Sequence, residues 1–212
     1  MSNARWLILS GGGLRGLVAT ALLAREQHAR EIAILHVRDG RPGHAARLEH
    51  ARLQAEHFAI KRFEEQALPS LFGPDPSRAA ASVAGPPMRS AHLLAAGLAH
   101  AALRSIPRVL WPVSCNADAE AAAVASEQML LMGQLAALEA EHPPRVDAPL
   151  LELADTQIIE IGAQLNVPWE LARSCTLGNA DPCRACPACR RRKAAFARAG
   201  LDDPIEKPAP AA

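Results

Sequence analysis

Residues 6–27 read WLILSGGGLRGLVATALLAREQ. Trp6 to Leu9 form a short, wholly apolar run of the kind that makes a strand. Ser10 and three glycines break it. From there Leu14, Leu17, Val18, Ala21 and Leu22 recur at the spacing of one helical face. Strand, glycine turn and helix together make the first half of a βαβ unit, so the fold depends on whether the pattern repeats downstream.

It does repeat. IAILHV (32–37) is a second apolar strand, followed by the turn RDGRPGH and a helix from about Ala45 to His57. FAIKRF (58–63) suits a third strand. Leu68 to Pro87 is rich in Pro, Ser, Ala and Gly and reads as a long loop, which in a compact domain is usually functional. A helix over 88–103, a strand at RVLWPV (108–113), a helix within 119–142, a strand near RVDAPL (145–150) and a helix at DTQIIEIGAQL (155–165) follow. This alternation predicts an α/β fold: a Rossmann-like parallel sheet with helices on both faces, in one domain over 1–212. KPAPAA reads as a frayed tail.

In such sheets ligands bind beyond the carboxyl ends of the strands, at the point where connections switch direction. Ser10, Gly11, Gly12 and Gly13 fall at that level, between a strand and a helix N-terminus. Glycines let backbone N–H groups approach phosphate oxygens, and the helix terminus adds positive potential. The same turn also serves as a plain tight connection. Arg15 is a planar donor for phosphate or a first-turn side chain in solvent.

Of 212 residues half are hydrophobic, and the formal net charge is +1, so no overall field recruits nucleic acid or a membrane. Arg190, Arg191, Arg192 and Lys193 form one local basic run. Tyrosine is absent and aromatics make up 3%, which argues against a base-stacking surface. No stretch reads as a bilayer span, and MSNARWLILSGGG lacks the features of a signal peptide, so a cytoplasmic protein is expected. Histidines 28, 36, 50, 57, 92, 100 and 142 are scattered and read as surface or core residues, Trp6, Trp111 and Trp169 as packing. Cys115 reads as a small buried hydrophobe.

The other four cysteines crowd into fifteen positions, in SCTLGNADPCRACPAC. Cys175, Cys183, Cys186 and Cys189 follow a C-x7-C-x2-C-x2-C spacing, enough for all four ligands of a tetrahedral zinc ion. Redox-active C-x-x-C motifs come as one pair, which favours metal. A closed four-sulfur site leaves no position for water, so the expected zinc is structural, stapling the segment 174–200. The arginines that follow offset the thiolate charge.

The order of these motifs resembles the 7-cyano-7-deazaguanine synthase family of pyrophosphate-loop ATPases. Ser10, Gly11 and Gly12 match the first half of its S-G-G-x-D-S loop, and His44 matches the end of its Y-G-Q-R-H-like segment. Val83 and Gly85 loosely match a V-P-G-R-N-like turn. Asn116, Ala117 and Asp118 match its G-V-N-A-x-D stretch. PLLELADTQIIEIGAQLNVPWELARSC, with the cysteines and the helix after them, runs nearly in register with the family's C-terminal third. The resemblance implies that ATP activates a 7-deazaguanine carboxylate as an acyl adenylate. Ammonia then gives the amide, and a second ATP drives dehydration to the nitrile. It also implies Mg²⁺ on the phosphates, a small-molecule substrate, no nucleic acid partner, and a homodimer. The alanine-rich faces of Met88 to Leu103 and Val124 to Leu138 would serve as the dimer contact. Ser10, Gly11, Gly12, Gly13, Arg15, Asn116 and Asp118 become the candidate nucleotide-binding residues.

This chain is a divergent member by the same comparison. Gly13, Leu14, Arg15 and Gly16 stand where the loop's Asp and Ser belong. Asp155 replaces the lysine of a D-L-x-K-A-E-I helix start, where Asp155 and Thr156 read as a helix N-cap. The family's S-G-Y-P-D-C-R-P-E stretch gives way to EAAAVASEQM. An ATP-dependent carbon–nitrogen ligase and a catalytically silent, zinc-stapled binding protein are therefore both expected readings.

Overall fold

The computed structural model describes residues 4–38, 40, 43–68, 88–177 and 181–206. Five strands, β1 (Trp6–Leu9), β2 (Ile32–Arg38), β3 (Arg62–Ala67), β4 (Arg108–Leu110) and β5 (Arg145–Asp147), form one sheet in the order β3-β2-β1-β4-β5. Every pairing is parallel. Parallel neighbours require crossovers, and the helices supply them: α1 (Leu14–Glu26), α2 (His44–His57), α3 (Arg89–Leu103) and α4 (Ala119–Glu139). Beyond the sheet lie α5 (Asp155–Gln164) and α6 (Pro187–Arg198). The α/β reading, with helices on both faces and a helical C-terminal segment, holds.

Alternation along β1 and β2 explains the layers. Trp6, Ile8, Ile32 and Ile34 point to one face and pack with Leu17 and Val18 of α1, Ile158 and Ile159 of α5, and Phe196 of α6. Leu7, Leu9, Ala33 and Leu35 point to the other face, against Leu94 and Leu98 of α3 and Ala125 of α4. Both faces of the central strands are dry, which is why their sequences are apolar without interruption.

Three expectations shift. The third strand begins at Arg62 and not at Phe58. Phe58 and Ile60 instead close α2, with Ile60 N–H donating to the Ala55 carbonyl at 2.8 Å, and Ile60 is buried in the core. As an edge strand β3 tolerates RFEEQA, a polar sequence that apolar periodicity passes over. Strand β4 stops at Leu110, ahead of Pro112, which has no N–H for a ladder. Helix α4 is, against expectation, long and apolar enough by length and composition to cross a membrane; it lies beside α3 with Ala122 and Ala125 buried. The long loop expected over 68–87 lies outside the described residues except for Leu68.

Candidate active site and cysteine cluster

The chain builds β1, β2 and β3 outward, then crosses back to place β4 on the other side of β1. Between the carboxyl ends of β1 and β4, where the connections change direction, a cavity of about 340 Å³ opens. Leu9, Ser10, Gly11 and Gly13 form its floor, and Trp111, Pro112 and Val113 one side.

The loop is held from three directions. Ser10 is buried; its N–H donates to Leu35 O at 3.0 Å, and its hydroxyl accepts from Gly12 N–H at 3.2 Å. The His36 ring nitrogen lies 2.9 Å from the Ser10 carbonyl. Arg47 of α2 donates from Nε to Gly11 O at 3.0 Å, and Arg173 N–H donates to Gly12 O at 2.8 Å. Gly12 has φ +66° and lies so close to α2 that a Cβ would collide with the Arg47 carbonyl. Only glycine fits there, by conformation and by space. Gly13 precedes α1 without any side-chain cap, so the first N–H groups of the helix are free of a side-chain acceptor.

Six arginines line the same cavity: Arg15, Arg47, Arg89, Arg173, Arg191 and Arg192. Asp155 is the only carboxylate among the described lining residues. Arg15 donates to a single oxygen of it, with Nε at 3.1 Å and Nη2 at 2.7 Å. Asp155 is therefore the ion-pair partner of Arg15 on the first turn of α1 and not a helix cap. The N-cap of α5 is Ala154, whose N–H is taken by the Gln157 side chain at 2.8 Å. Alanine has no side-chain acceptor, so this is half of a reciprocal cap. Arg192 differs from the others because it is sealed: it binds both Asp203 oxygens, at 2.7 and 2.8 Å, and the carbonyls of Trp169 and Ala172. It locks α6 to the cavity wall.

The expected site residues divide. Ser10, Gly11, Gly13 and Arg15 line the cavity, and Gly12 sits immediately behind them. Asn116 and Asp118 are exposed and outside its lining. Asp118 caps α4 by accepting from Ala121 N–H at 3.0 Å. Asn116, with φ +55°, accepts from Asp155 N–H at 3.0 Å and so orders the start of α5. Arg47, Arg89 and Arg173 escaped sequence reading because they are scattered over the chain; only α2, α3 and the segment before the cysteines bring them together. Cys115 is half-buried outside the cavity lining, with burial pushing its thiol up.

The ligand atoms of Cys175, Cys183, Cys186 and Cys189 all lie within 4.8 Å of one another. Sulfurs of a tetrahedral ion with bonds of about 2.3 Å sit about 3.8 Å apart, and Cys183 Sγ to Cys189 Sγ is 3.9 Å. Backbone N–H groups already point at sulfur, Cys183 N–H to Cys175 Sγ at 3.4 Å and Cys186 N–H to Cys183 Sγ at 3.2 Å. Burial pushes the Cys186 thiol up, but backbone hydrogen bonds at Thr176 and Cys189 outweigh it and bring it to about 6. Burial and the hydrogen bond to Cys186 push Cys189 up. Such a set can hold one tetrahedral metal ion. The cluster adjoins the cavity, since Ser174, Thr176, Ala188 and Arg191 line it. Gly43, at φ +74°, brings the start of α2 against the Leu177 carbonyl.

Among known proteins, the family described as queuosine biosynthesis protein QueC matches residues 79–200. The 7-cyano-7-deazaguanine synthase of Methanothermobacter thermautotrophicus is 29% identical over 224 residues, covering 95% of this chain and 98% of that one. That of Chlorobaculum parvum is 28% identical over 221 residues, covering 94% and 95%. The synthase of Nostoc punctiforme is 50% identical over 64 residues, 30% of this chain and 29% of its own length, so this match spans under a third of that relative. In fold the chain is similar to the U34-tRNA thiolase NcsA from Methanococcus maripaludis, solved with its [4Fe-4S] cluster. The TM-score is 0.55 at 11% identity, over 93% of this chain and 66% of that one. With more than half of its length inside the family match, the chain belongs to the QueC family of queuosine biosynthesis proteins.

Proposed function

We propose that this chain is an ATP-dependent synthase of the 7-deazaguanine branch of queuosine biosynthesis, turning a 7-deazaguanine carboxylate into a nitrile with ammonia. The observation that carries the reading is the cavity at the switch point, floored by a glycine loop at the N-terminus of α1, with Arg15, Arg47, Arg89, Arg173 and Arg191 in its lining and Arg192 sealed against Asp203. Such a lining suits the phosphates of a nucleotide. The N–H groups of Gly11 and Gly13 and the start of α1 bind the phosphate oxygens, while the Gly12 N–H stays on the Ser10 hydroxyl. Cavity guanidiniums other than the sealed Arg192, Arg15 first among them, meet the negative charge that grows on the leaving pyrophosphate as the carboxylate attacks the α-phosphorus. Mg²⁺ on the phosphates belongs to the same reading, with ATP and the carboxylate as substrates.

The ion at the cysteine cluster is, in this reading, structural zinc. Sulfurs within 4.8 Å of one another favour one ion, because a four-iron cubane between them would drive the thiolates further apart. A reducing, cytoplasmic setting keeps the four thiols available for it.

Incubation with 7-carboxy-7-deazaguanine, ammonia and Mg-ATP should yield the nitrile by mass spectrometry, with AMP and pyrophosphate released. A second reading, a silent binding protein, is favoured by Leu14, which is buried in the core in the stretch where the family loop carries its Asp. Absence of both product and ATP binding at millimolar concentration would select it.

A further inference from the structure

We infer that Arg15 and Asp155 are an exchange pair: Arg15 is a ligand for a phosphate group in the cavity, and Asp155 is a built-in competitor that weakens anion binding there. The inference rests on the proposed phosphate site and adds to it a residue that sets affinity. Both side chains line the cavity. Their pair is partly open to solvent, at 28% and 19% exposure, unlike the sealed Arg192–Asp203 pair at 1% and 3%. Partly exposed ion pairs contribute little, so a phosphate can replace the carboxylate on the guanidinium at small cost. The geometry also leaves the guanidinium half used. Nε and Nη2 both converge on Asp155 Oδ1, while the Nη1 side is available for a second contact.

Arg15 stands on the first turn of α1, next to uncapped helix N–H groups, so a phosphate seated on the loop comes within its reach. Asp155 stands on the first turn of α5 facing the same space, where its carboxylate occupies the guanidinium that the phosphate would engage. Its backbone is held independently of the carboxylate, through the N–H bond to Asn116. Asp155→Asn therefore removes the charge and keeps the shape. A purely structural pair predicts the opposite sign, because breaking it loosens both helix starts.

The test is calorimetric titration of inorganic pyrophosphate into the full chain at low salt, with Mg²⁺ and separately in chelator. We expect Arg15→Gln to weaken binding at least tenfold and Asp155→Asn to tighten it about three- to tenfold. The double variant should match Arg15→Gln, since the gain from losing Asp155 passes through Arg15. Circular dichroism and thermal unfolding confirm that each variant is folded; Arg15→Lys, which retains charge without the fork, serves if Arg15→Gln does not fold. Wild-type binding with Asp155→Asn unchanged or weaker overturns the exchange pair while leaving the phosphate site standing. No wild-type binding, with or without Mg²⁺, overturns both.

Discussion

Arg192 occupies a position that a sequence reader assigns to a solvated basic run, yet it is buried and carries α6 against the rest of the fold. Its neighbours Arg190 and Arg191 are exposed. The difference is helical phase: Cys189, Arg192 and Phe196 share the inward face of α6. Asp203 neutralises the guanidinium, and the carbonyls of Trp169 and Ala172 each accept a further bond from it. Replacing Asp203 with alanine strands a buried charge, which costs about 3–5 kcal/mol. Urea unfolding should show it; a loss under about 1 kcal/mol would mean that the pair is not sealed in solution. Two histidines contribute to the pH response. Burial lowers the pKa of His50 despite its hydrogen bond to Leu171, and burial lowers that of His100 despite Glu64 beside it, both from an ordinary value of 6.5. The folded chain then binds fewer protons than the unfolded one, so their contribution is complete above about pH 6.5 and is lost as pH falls through their depressed values. Stability measured by urea at about pH 5.0, 6.0 and 7.5 should rise with pH, and the slope should shrink in His50→Gln with His100→Gln. Glu64 acts in the same direction lower down, its hydrogen bond from Arg104 holding it below the usual 4.5.

At the scale of an element, α4 carries two apolar stripes where a surface helix carries one. Ala122, Ala125, Met129, Met132 and Ala136 face the protein, with Ala122 and Ala125 fully buried. Val124, Leu131, Leu135 and Leu138 face away, at 55%, 53%, 47% and 84% exposure. Spacings of seven, four and three put these four on one side of the helix, a seam suited to a second helix. A helix apolar on both sides wants a second partner, and a second copy of this chain is the proposed one. Light scattering at micromolar concentration should give a dimer, and Leu131→Glu with Leu135→Glu a monomer; a monomeric wild type would end the idea. Elements also show where sequence patterns mislead. FAIKRF has the right composition for a strand, but Phe58 and Ile60 are spent on closing α2, and the strand follows in the polar residues beyond. Asp155 resembles a cap by residue type, whereas its carboxylate is claimed by Arg15, which lies 140 positions away in the chain.

At the scale of the molecule, the cysteine cluster and the cavity are one construction. The segment from Ala172 to Leu177 lies between the glycine loop and α6, with Arg173 N–H on Gly12 O at one end and Cys175 in the cluster at the other. A metal ion there would fix the cavity wall that Ser174, Thr176, Ala188 and Arg191 supply. Metal analysis should find about one zinc per chain. Cys186→Ser should lose the ion, lower the unfolding midpoint and weaken pyrophosphate binding together. Loss of zinc with unchanged anion affinity would show that the wall stands without its staple.

What the sequence determined by itself was everything governed by local periodicity and spacing. Apolar runs such as WLIL and IAIL, alternating with helical stripes, specify a parallel sheet because only strands dry on both faces can be uniformly apolar. Four cysteines within fifteen positions specify a cluster able to hold a metal ion because ligands that close in sequence must be close in space. The glycines specify the floor of the cavity, since Gly12 stands where no Cβ fits. Tertiary structure alone decided the charges above that floor. Arg47, Arg89 and Arg173 come from separate segments and meet only through the crossovers of the sheet. The fates of Arg15, Arg191 and Arg192 within one cavity depend on whether a carboxylate from another element reaches them. Coulomb interactions act across space without regard to position in the chain, so no reading of neighbours in sequence could have paired Arg15 with Asp155 or set Asn116 at the head of α5.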